Sequence, residues 1–275
     1  MATVVAVSSF VARGAVGLRA IVLALDRLGH DAIACPTIVL SNHLGHARAA
    51  GSPVAPETLA AMIDALADNG WLAGVDAVLT GYLPSPEHVH LVERLITRVR
   101  AARAGALIVC DPVLGDDPGG LYVPESVAEA VRDRLVPLAT HMKVNTFELA
   151  LLSGRGVSSV SGAVDAARRL AAPVVLASSV PSEGGGLANV IVTRERASRC
   201  TVAEESDVPH GTGDLLAATF VGHLLHGEDP FTSTALAAAA VARAIALSRG
   251  RDELQLFAAA AWHEAAALTM TGIDR

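Results

Sequence analysis

The sequence predicts an α/β fold: a doubly wound, mostly parallel sheet with helices on both faces and a small antiparallel hairpin late in the chain. Three observations predict it. Short β-branched and apolar runs alternate with amphipathic helical stretches from the N-terminus onward, which is the pattern of strands joined by right-handed crossovers. Several of those runs empty into polar, glycine-containing loops, where doubly wound folds place ligand contacts. Finally, the turn His210-Gly211-Thr212-Gly213-Asp214 runs straight into an alanine-rich apolar stretch, as a ligand-binding helix start does. At 275 residues, with 52% hydrophobic and 18% charged content, the chain is long enough for one sizeable core. A single domain over residues 1–275 is the expectation.

Taken in order, Val4 to Val7 reads as a strand ending at Ser8-Ser9, and Gly14 and Gly17 lead into a helix with Ile21, Leu25 and Leu28 on one face. Asp31 to Leu40 is a second strand, opening into Ser41-Asn42-His43-Leu44-Gly45-His46. Pro56 to Ala67 is helical, and Val75 to Leu79 is a strand followed by Thr80-Gly81-Tyr82. Glu87 to Arg103 is an amphipathic helix, apolar at Val89, Val92, Leu95, Ile96 and Val99. Leu107 to Cys110 is a buried strand before Asp111, and Pro118-Gly119-Gly120 predicts a flexible connection. A helix follows from Glu125 to Leu135, and a brief strand covers Met142 to Val144. A helix over Ser161 to Leu170 precedes a strand over Pro173 to Leu176. Val190 to Thr193 and Cys200 to Val202 predict the antiparallel hairpin. Three helices close the chain: Thr212 to His226, Pro230 to Ser248 and Glu253 to Met270.

Charge and composition exclude several function classes. With 28 acidic against 21 basic residues, the net charge is −7; with no run of like charge, a nucleic-acid surface has no electrostatic support. The expected partner is a small molecule. Lys143 is the one lysine, so neither a GxxxxGK[ST] phosphate loop nor a protein-kinase strand lysine can be written. Phosphate is therefore expected to be held by backbone N–H groups, arginine or metal. Cys35, Cys110 and Cys200 are widely spaced and odd in number, which fits core residues of a reducing compartment better than a disulfide framework. The N-terminus carries no signal pattern, and Ala235 to Leu247 is broken by Arg243, a poor membrane span. A soluble, cytoplasmic protein is expected.

Gly211 and Gly213 permit a tight turn and close backbone approach, and the helix start behind them offers unpaired N–H groups and a positive dipole end to an anion. Asp214 has two readings there: a helix cap, or a base that takes a proton from a hydroxyl attacking phosphate. The other strand ends carry Ser9, Asn42-His43, Asp111 with Asp116, and Asn145 with Glu148. In a parallel sheet these ends share one edge and converge on one cleft.

Those blocks, with Leu79-Thr80-Gly81-Tyr82, Tyr122-Val123-Pro124-Glu125 and Asn145-Thr146-Phe147-Glu148, resemble in order and approximate spacing the motifs of the pyridoxal kinases, within the ribokinase-like superfamily. The resemblance covers most of the chain. It implies a ribokinase-like fold and transfer of the ATP γ-phosphate to the 5′-hydroxymethyl group of pyridoxal, with pyridoxine and pyridoxamine as further candidates. By that resemblance Asp214 is the base, and Gly211, Thr212 and Gly213 form the anion hole. Asn145 and Glu148 serve Mg²⁺ through water, and Asp111 lies near metal and phosphates, so Asp111 and Glu148 are the metal candidates. Asp116 and Tyr122 belong to the ATP-side flap, and Ser178 contacts the nucleotide. Ser9, His43 and Tyr82 face the substrate. The resemblance further implies a homodimer, and it leaves a monovalent cation open as a second ion beside Mg²⁺.

The chain departs from the family pattern at two places. Leu44 stands where the motif has threonine, and Lys143-Val144 replaces the Thr-Pro that precedes Asn145. A kinase for another hydroxymethyl heterocycle such as hydroxymethylpyrimidine, and a non-catalytic B6-binding paralogue, are the alternatives these changes raise. A nicotinamide-dependent oxidoreductase finds no GxGxxG after the first strand. His210 could neutralise phosphate charge when protonated. His88 and His90, two apart on a helix, point to different faces and make no metal pair.

Overall fold

The structure is a computed structural model that describes residues 1–257 and 261–273. Strand β1 (Thr3–Val11) leads through Gly17 into α1 (Leu18–Arg27), followed by β2 (Asp31–Leu40) and a short β3 (Gly51–Pro53). Next come α2 (Pro56–Asp68), β4 (Ala77–Thr80), α3 (Pro86–Ala102) and β5 (Leu107–Cys110). Pro56 and Pro86 occupy the opening helical positions, and Glu57 and Glu87 lie in the first turns, where fixed φ and negative charge favour a helix start. A small pair, β6 (Gly115–Asp116) and β7 (Gly120–Leu121), precedes α4 (Glu125–Ala130), which continues through a π-helical turn at Val131–Leu135. The remaining elements are β8 (His141–Asn145), α5 (Thr146–Ser153), α6 (Val160–Ala167), β9 (Val174–Pro181), β10 (Leu187–Thr193), β11 (Ala197–Val202), α7 (Thr212–Leu225), α8 (Pro230–Leu247) and β12 (Thr271–Gly272).

Among the described residues the main sheet has ten strands in the order β12-β11-β10-β9-β8-β5-β4-β1-β2-β3. From β2 through β9 every neighbouring pair is parallel, and β3 at one edge and β10 to β12 at the other are antiparallel. The doubly wound parallel sheet and the late hairpin are as the sequence predicts. Both faces of β1 are covered: Val5 and Val7 enter one core with α2 and α3, while Val4 and Ala6 enter another with α1, α7 and α8. A strand alternates its side chains between faces, so apolar cover on each side requires an unbroken apolar run.

Helix α7 is buried all round from Leu215 to His223, as a helix wedged between sheet and neighbouring helices must be. Helix α8 is long and apolar enough to cross a membrane by length and composition, and half of it is buried. Ala237, Ala240 and Ala244 face the cores beside α7.

The structure differs from the sequence reading in several stretches, among them helix α5, which the sequence did not predict. No α-helix forms over Glu253 to Met270 among the described residues, which carry only a 3-10 turn at Trp262–Glu264; residues 258–260 of that stretch lie outside them. Leu254, Leu256 and Trp262 are buried in the second core, and Trp262 Nε1 donates to the Leu256 carbonyl at 3.1 Å. Core packing there overrides alanine's helix propensity. Strand β9 runs on to Pro181 because β10 continues its ladder past a register shift at Ala188/Val190. The connection at Pro118-Gly119-Gly120 carries the turn of the β6/β7 pair, which sets Gly115 opposite Leu121 and Asp116 opposite Gly120.

Candidate active site

At the carboxyl ends of the parallel strands lies the start of α7. Gly211, its cap residue, has φ +103°, and a Cβ there would collide with the Ala15 carbonyl, so only glycine fits. No side chain caps this helix; its first N–H groups lack intrahelical acceptors and the positive dipole end is left for an anion. The turn Gly211-Thr212-Gly213 thus has the anion-accepting geometry the sequence suggests.

Asp214 is the third residue of α7, half-buried, and it does not cap its own helix. Its Oδ2 accepts the Gly17 backbone N–H at 2.9 Å, across at the start of α1. A Cβ on Gly17 would overlap the Ser9 carbonyl and hydroxyl, so Ser9, Gly17 and Asp214 meet at one point. Burial pushes the Asp214 carboxyl above its ordinary value, opposed by the Gly17 N–H and the Lys143 charge. A raised carboxylate that still receives a hydrogen bond is suited to accepting a proton from an alcohol.

Asp111, just past the end of β5, and Lys143, in the middle of β8, form a buried ion pair: Nζ lies 3.1 Å from Oδ2 and 3.4 Å from Oδ1. Burial raises the Asp111 carboxyl against the pull of Lys143. Burial would lower the Lys143 ammonium, but Asp111, Glu148 and Asp214 outweigh it and keep the ammonium above its usual range, hence charged. A Cβ placed on Gly213 would come within 2.8 Å of Nζ. Lys143 therefore lies against the turn Gly211–Gly213, a neighbour the sequence did not reveal. The missed signal was the lysine itself: a lone lysine inside a buried strand, two residues before Asn145, has to find a countercharge.

Asn145 caps α5 in a capping box. Its Oδ1 accepts the Glu148 N–H at 2.8 Å, and Glu148 Oε2 accepts the Asn145 N–H at 2.9 Å. Glu148 is 2% exposed, and its Oε1 accepts the Leu114 N–H at 2.9 Å. The carboxylate therefore braces the loop after β5. Asn145 Nδ2 donates to the Gly115 carbonyl at 2.8 Å.

No group of three or more His, Cys, Asp or Glu residues among the described residues could hold a metal by itself. Asp111 is engaged by Lys143, and Glu148 by two backbone N–H groups, yet each oxygen keeps a second lone pair for a bridging water. This donor set fits a hydrated hard cation arriving with a phosphate, and it does not fit a dehydrated cage.

On the small β6/β7 pair, Asp116 and Tyr122 share a side-chain hydrogen bond, and burial together with that bond pushes the Tyr122 phenol up. Tyr122 is otherwise exposed. Ser178 pairs in register with Asn145 but donates back to the Val144 carbonyl at 3.3 Å, so its hydroxyl is occupied within the sheet.

On the other side of Asp214, Tyr82 packs against the first core, and its N–H donates to Ser8 Oγ at 3.2 Å. His43 is half-buried and stacks on His210 with ring centroids 3.9 Å apart. Burial, followed by the neighbouring charges of His210 and His46, holds the His43 imidazole down at about 4. Leu44, which replaces the motif threonine, is 66% exposed. His88 is buried between Ser85 and the Val54 carbonyl and His90 is exposed, which agrees with their assignment to different helix faces.

A parallel sheet whose strand tips gather an open helix start, an adjacent acid and a buried ammonium defines a small-molecule phosphotransferase of the α/β class. The sequence model of the phosphomethylpyrimidine kinase family matches residues 12–256. The pyridoxine/pyridoxal/pyridoxamine kinase of Bordetella avium is 35% identical over 259 residues, covering 92% of this chain and 88% of its own. The pyridoxal kinase of Rubrobacter xylanophilus is 34% identical over 265 residues, covering 93% and 91%. The structure of Leishmania donovani pyridoxal kinase in complex with ADP and pyridoxamine superposes with a TM-score of 0.93 at 27% identity, over 99% of each chain. The chain belongs to this kinase family, among the pyridoxal kinases of the ribokinase-like superfamily.

Proposed function

We propose that the protein transfers the γ-phosphoryl group of ATP to the 5′-hydroxymethyl group of pyridoxal and the related vitamers pyridoxine and pyridoxamine. The observation that carries this reading is the Asp214 carboxylate, fixed by the Gly17 N–H at 2.9 Å at the mouth of the uncapped α7 start. The phosphoryl group sits on the Gly211–Gly213 N–H groups, and the vitamer hydroxyl lies between it and Asp214. As the new P–O bond forms and the bond to ADP breaks, the hydroxyl proton passes to Asp214. Loose phosphoryl transfer asks mainly for alignment and charge neutralisation, and the turn and the acid supply both.

Ser9, His43 and Tyr82 take the vitamer side; Asp111, Asp116, Tyr122, Asn145, Glu148, Ser178 and Thr212 take the nucleotide side. When bound, Mg²⁺ would neutralise the phosphates, held through water by Asp111 and Glu148. A monovalent cation, a homodimer and a cytoplasmic setting complete the reading; the three free, buried cysteines support a reducing compartment.

A hydroxymethylpyrimidine kinase is the second reading, favoured by the description of the matching family. An ADP-release assay with pyridoxal, pyridoxine, pyridoxamine and hydroxymethylpyrimidine decides between them. Turnover of the B6 vitamers supports the first reading; turnover of the pyrimidine alone replaces it with the second.

A further inference from the structure

Lys143 is the chain's one lysine, it is 5% exposed, and the mechanism above gives it no role. Its ammonium has three donor directions. Asp111 takes one side at 3.1 and 3.4 Å, and among the described residues it is the one hydrogen-bond partner. The ammonium also lies against Gly213, where an added Cβ would be 2.8 Å away. A cation is thereby packed against the positive end of α7's dipole. Two positive features in contact repel each other unless an anion lies between them or carboxylates offset them. Asp111, Glu148 and Asp214 supply that offset in the ligand-free protein. The side of the ammonium facing Gly213 opens onto the same turn that accepts the phosphoryl group.

Resting on the kinase reading, we propose that the Lys143 ammonium contacts the moving phosphoryl group over Gly211–Gly213 and is a catalytic residue of this chain. It supplies a fixed charge where the related motif has a threonine hydroxyl. In the step, the P–O bond to ADP breaks and the P–O bond to the vitamer forms; the hydroxyl proton goes to Asp214, and Lys143 stays protonated throughout. A compact ammonium suits this task, since it offers several donors to a group whose oxygens shift during transfer. Its contact is with the γ-phosphoryl, so it distinguishes ATP from ADP.

The test combines nucleotide binding without divalent metal and steady-state kinetics. In EDTA, Lys143→Met is expected to bind ATP about tenfold or more weakly, the loss of one charge-assisted contact, and ADP nearly as well as the wild type. With metal present, kcat falls about 100-fold while the vitamer KM stays within about threefold. Removal of a charge that lowers the Asp214 pKa also moves the acid limb of the rate profile to higher pH, a shift that a packing role does not produce. If Lys143→Met does not fold because Asp111 is left alone, Lys143→Met/Asp111→Asn is measured against Asp111→Asn. A folded variant that keeps both the ATP affinity and the kcat of its reference overturns the proposal. Absence of wild-type turnover with every vitamer would instead overturn the kinase reading, while the ATP-against-ADP comparison still judges Lys143.

Discussion

The Asp214 carboxylate and the Gly17 backbone N–H, 197 residues apart in sequence, meet at 2.9 Å, so one hydrogen bond ties the first helix of the chain to the acid of the seventh. That bond fixes the direction in which the acid faces, and burial sets its proton affinity. Since burial raises Asp214 above its ordinary 3.8 and only the ionised form accepts a proton, kcat/KM falls as pH drops through a pKa above 3.8. A rate profile whose acid limb lies at or below 3.8 would show that Asp214 is not the titrating base.

Glu148 should matter to stability as well as to the site. Both of its oxygens accept buried backbone N–H groups, of Asn145 and of Leu114. Glu148→Ala leaves those donors unpaired and removes the capping box, at a cost of about 1–3 kcal/mol. Urea unfolding of the two proteins measures it, and an unchanged midpoint contradicts the bracing role.

Gly211→Ala tests the turn itself. With φ at +103° and the Ala15 carbonyl in the way, an alanine there has to displace backbone that lines the anion site. The expected result is a loss of ATP affinity measured by titration calorimetry, with a lower Tm from backbone strain of about 1–3 kcal/mol. Unchanged ATP binding in the folded variant would place the phosphate elsewhere.

His141 sets part of the acid response of the fold. Burial holds its imidazole at about 4 against the ordinary 6.5. The unfolded chain therefore binds a proton between those values that the folded chain refuses, and stability falls as pH drops through this window, by about 3 kcal/mol at most. The buried carboxylates act oppositely, because a raised acid favours the folded state as pH falls. His141→Gln should flatten the decline in Tm between pH 6.5 and 4; a decline as steep as in the wild type would assign it to other groups.

Much of the fold was legible because apolar cover on both faces forces continuous apolar strands, and β5, buried from Ile108 to Cys110, was read with its observed bounds for that reason. The site was legible as types of residue at strand ends. It was not legible as partners. Nothing local tells that Asp214 reaches Gly17, that Glu148 braces Leu114, or which carboxylate Lys143 finds, since each contact joins segments far apart in the chain. The stretch after α8 was misread because alanine's propensity spoke for an α-helix, whereas Leu254, Leu256 and Trp262 are buried in the core and the described residues there form only a 3-10 turn. Leu44, at the place of the motif threonine, is 66% exposed and packs into none of the hydrophobic cores among the described residues. Leu44→Thr should accordingly leave the relative kcat/KM for the three vitamers unchanged, and a reordering of them would return that side chain to the site.

The most direct measurement is ADP release with pyridoxal in Asp214→Asn, a change that keeps an oxygen for the Gly17 N–H and removes the base. The expected kcat is lower than that of the wild type by about 10²- to 10⁴-fold, with ATP binding retained. Turnover within about tenfold of the wild type in a folded variant would contradict proton transfer to Asp214 and the mechanism built on it.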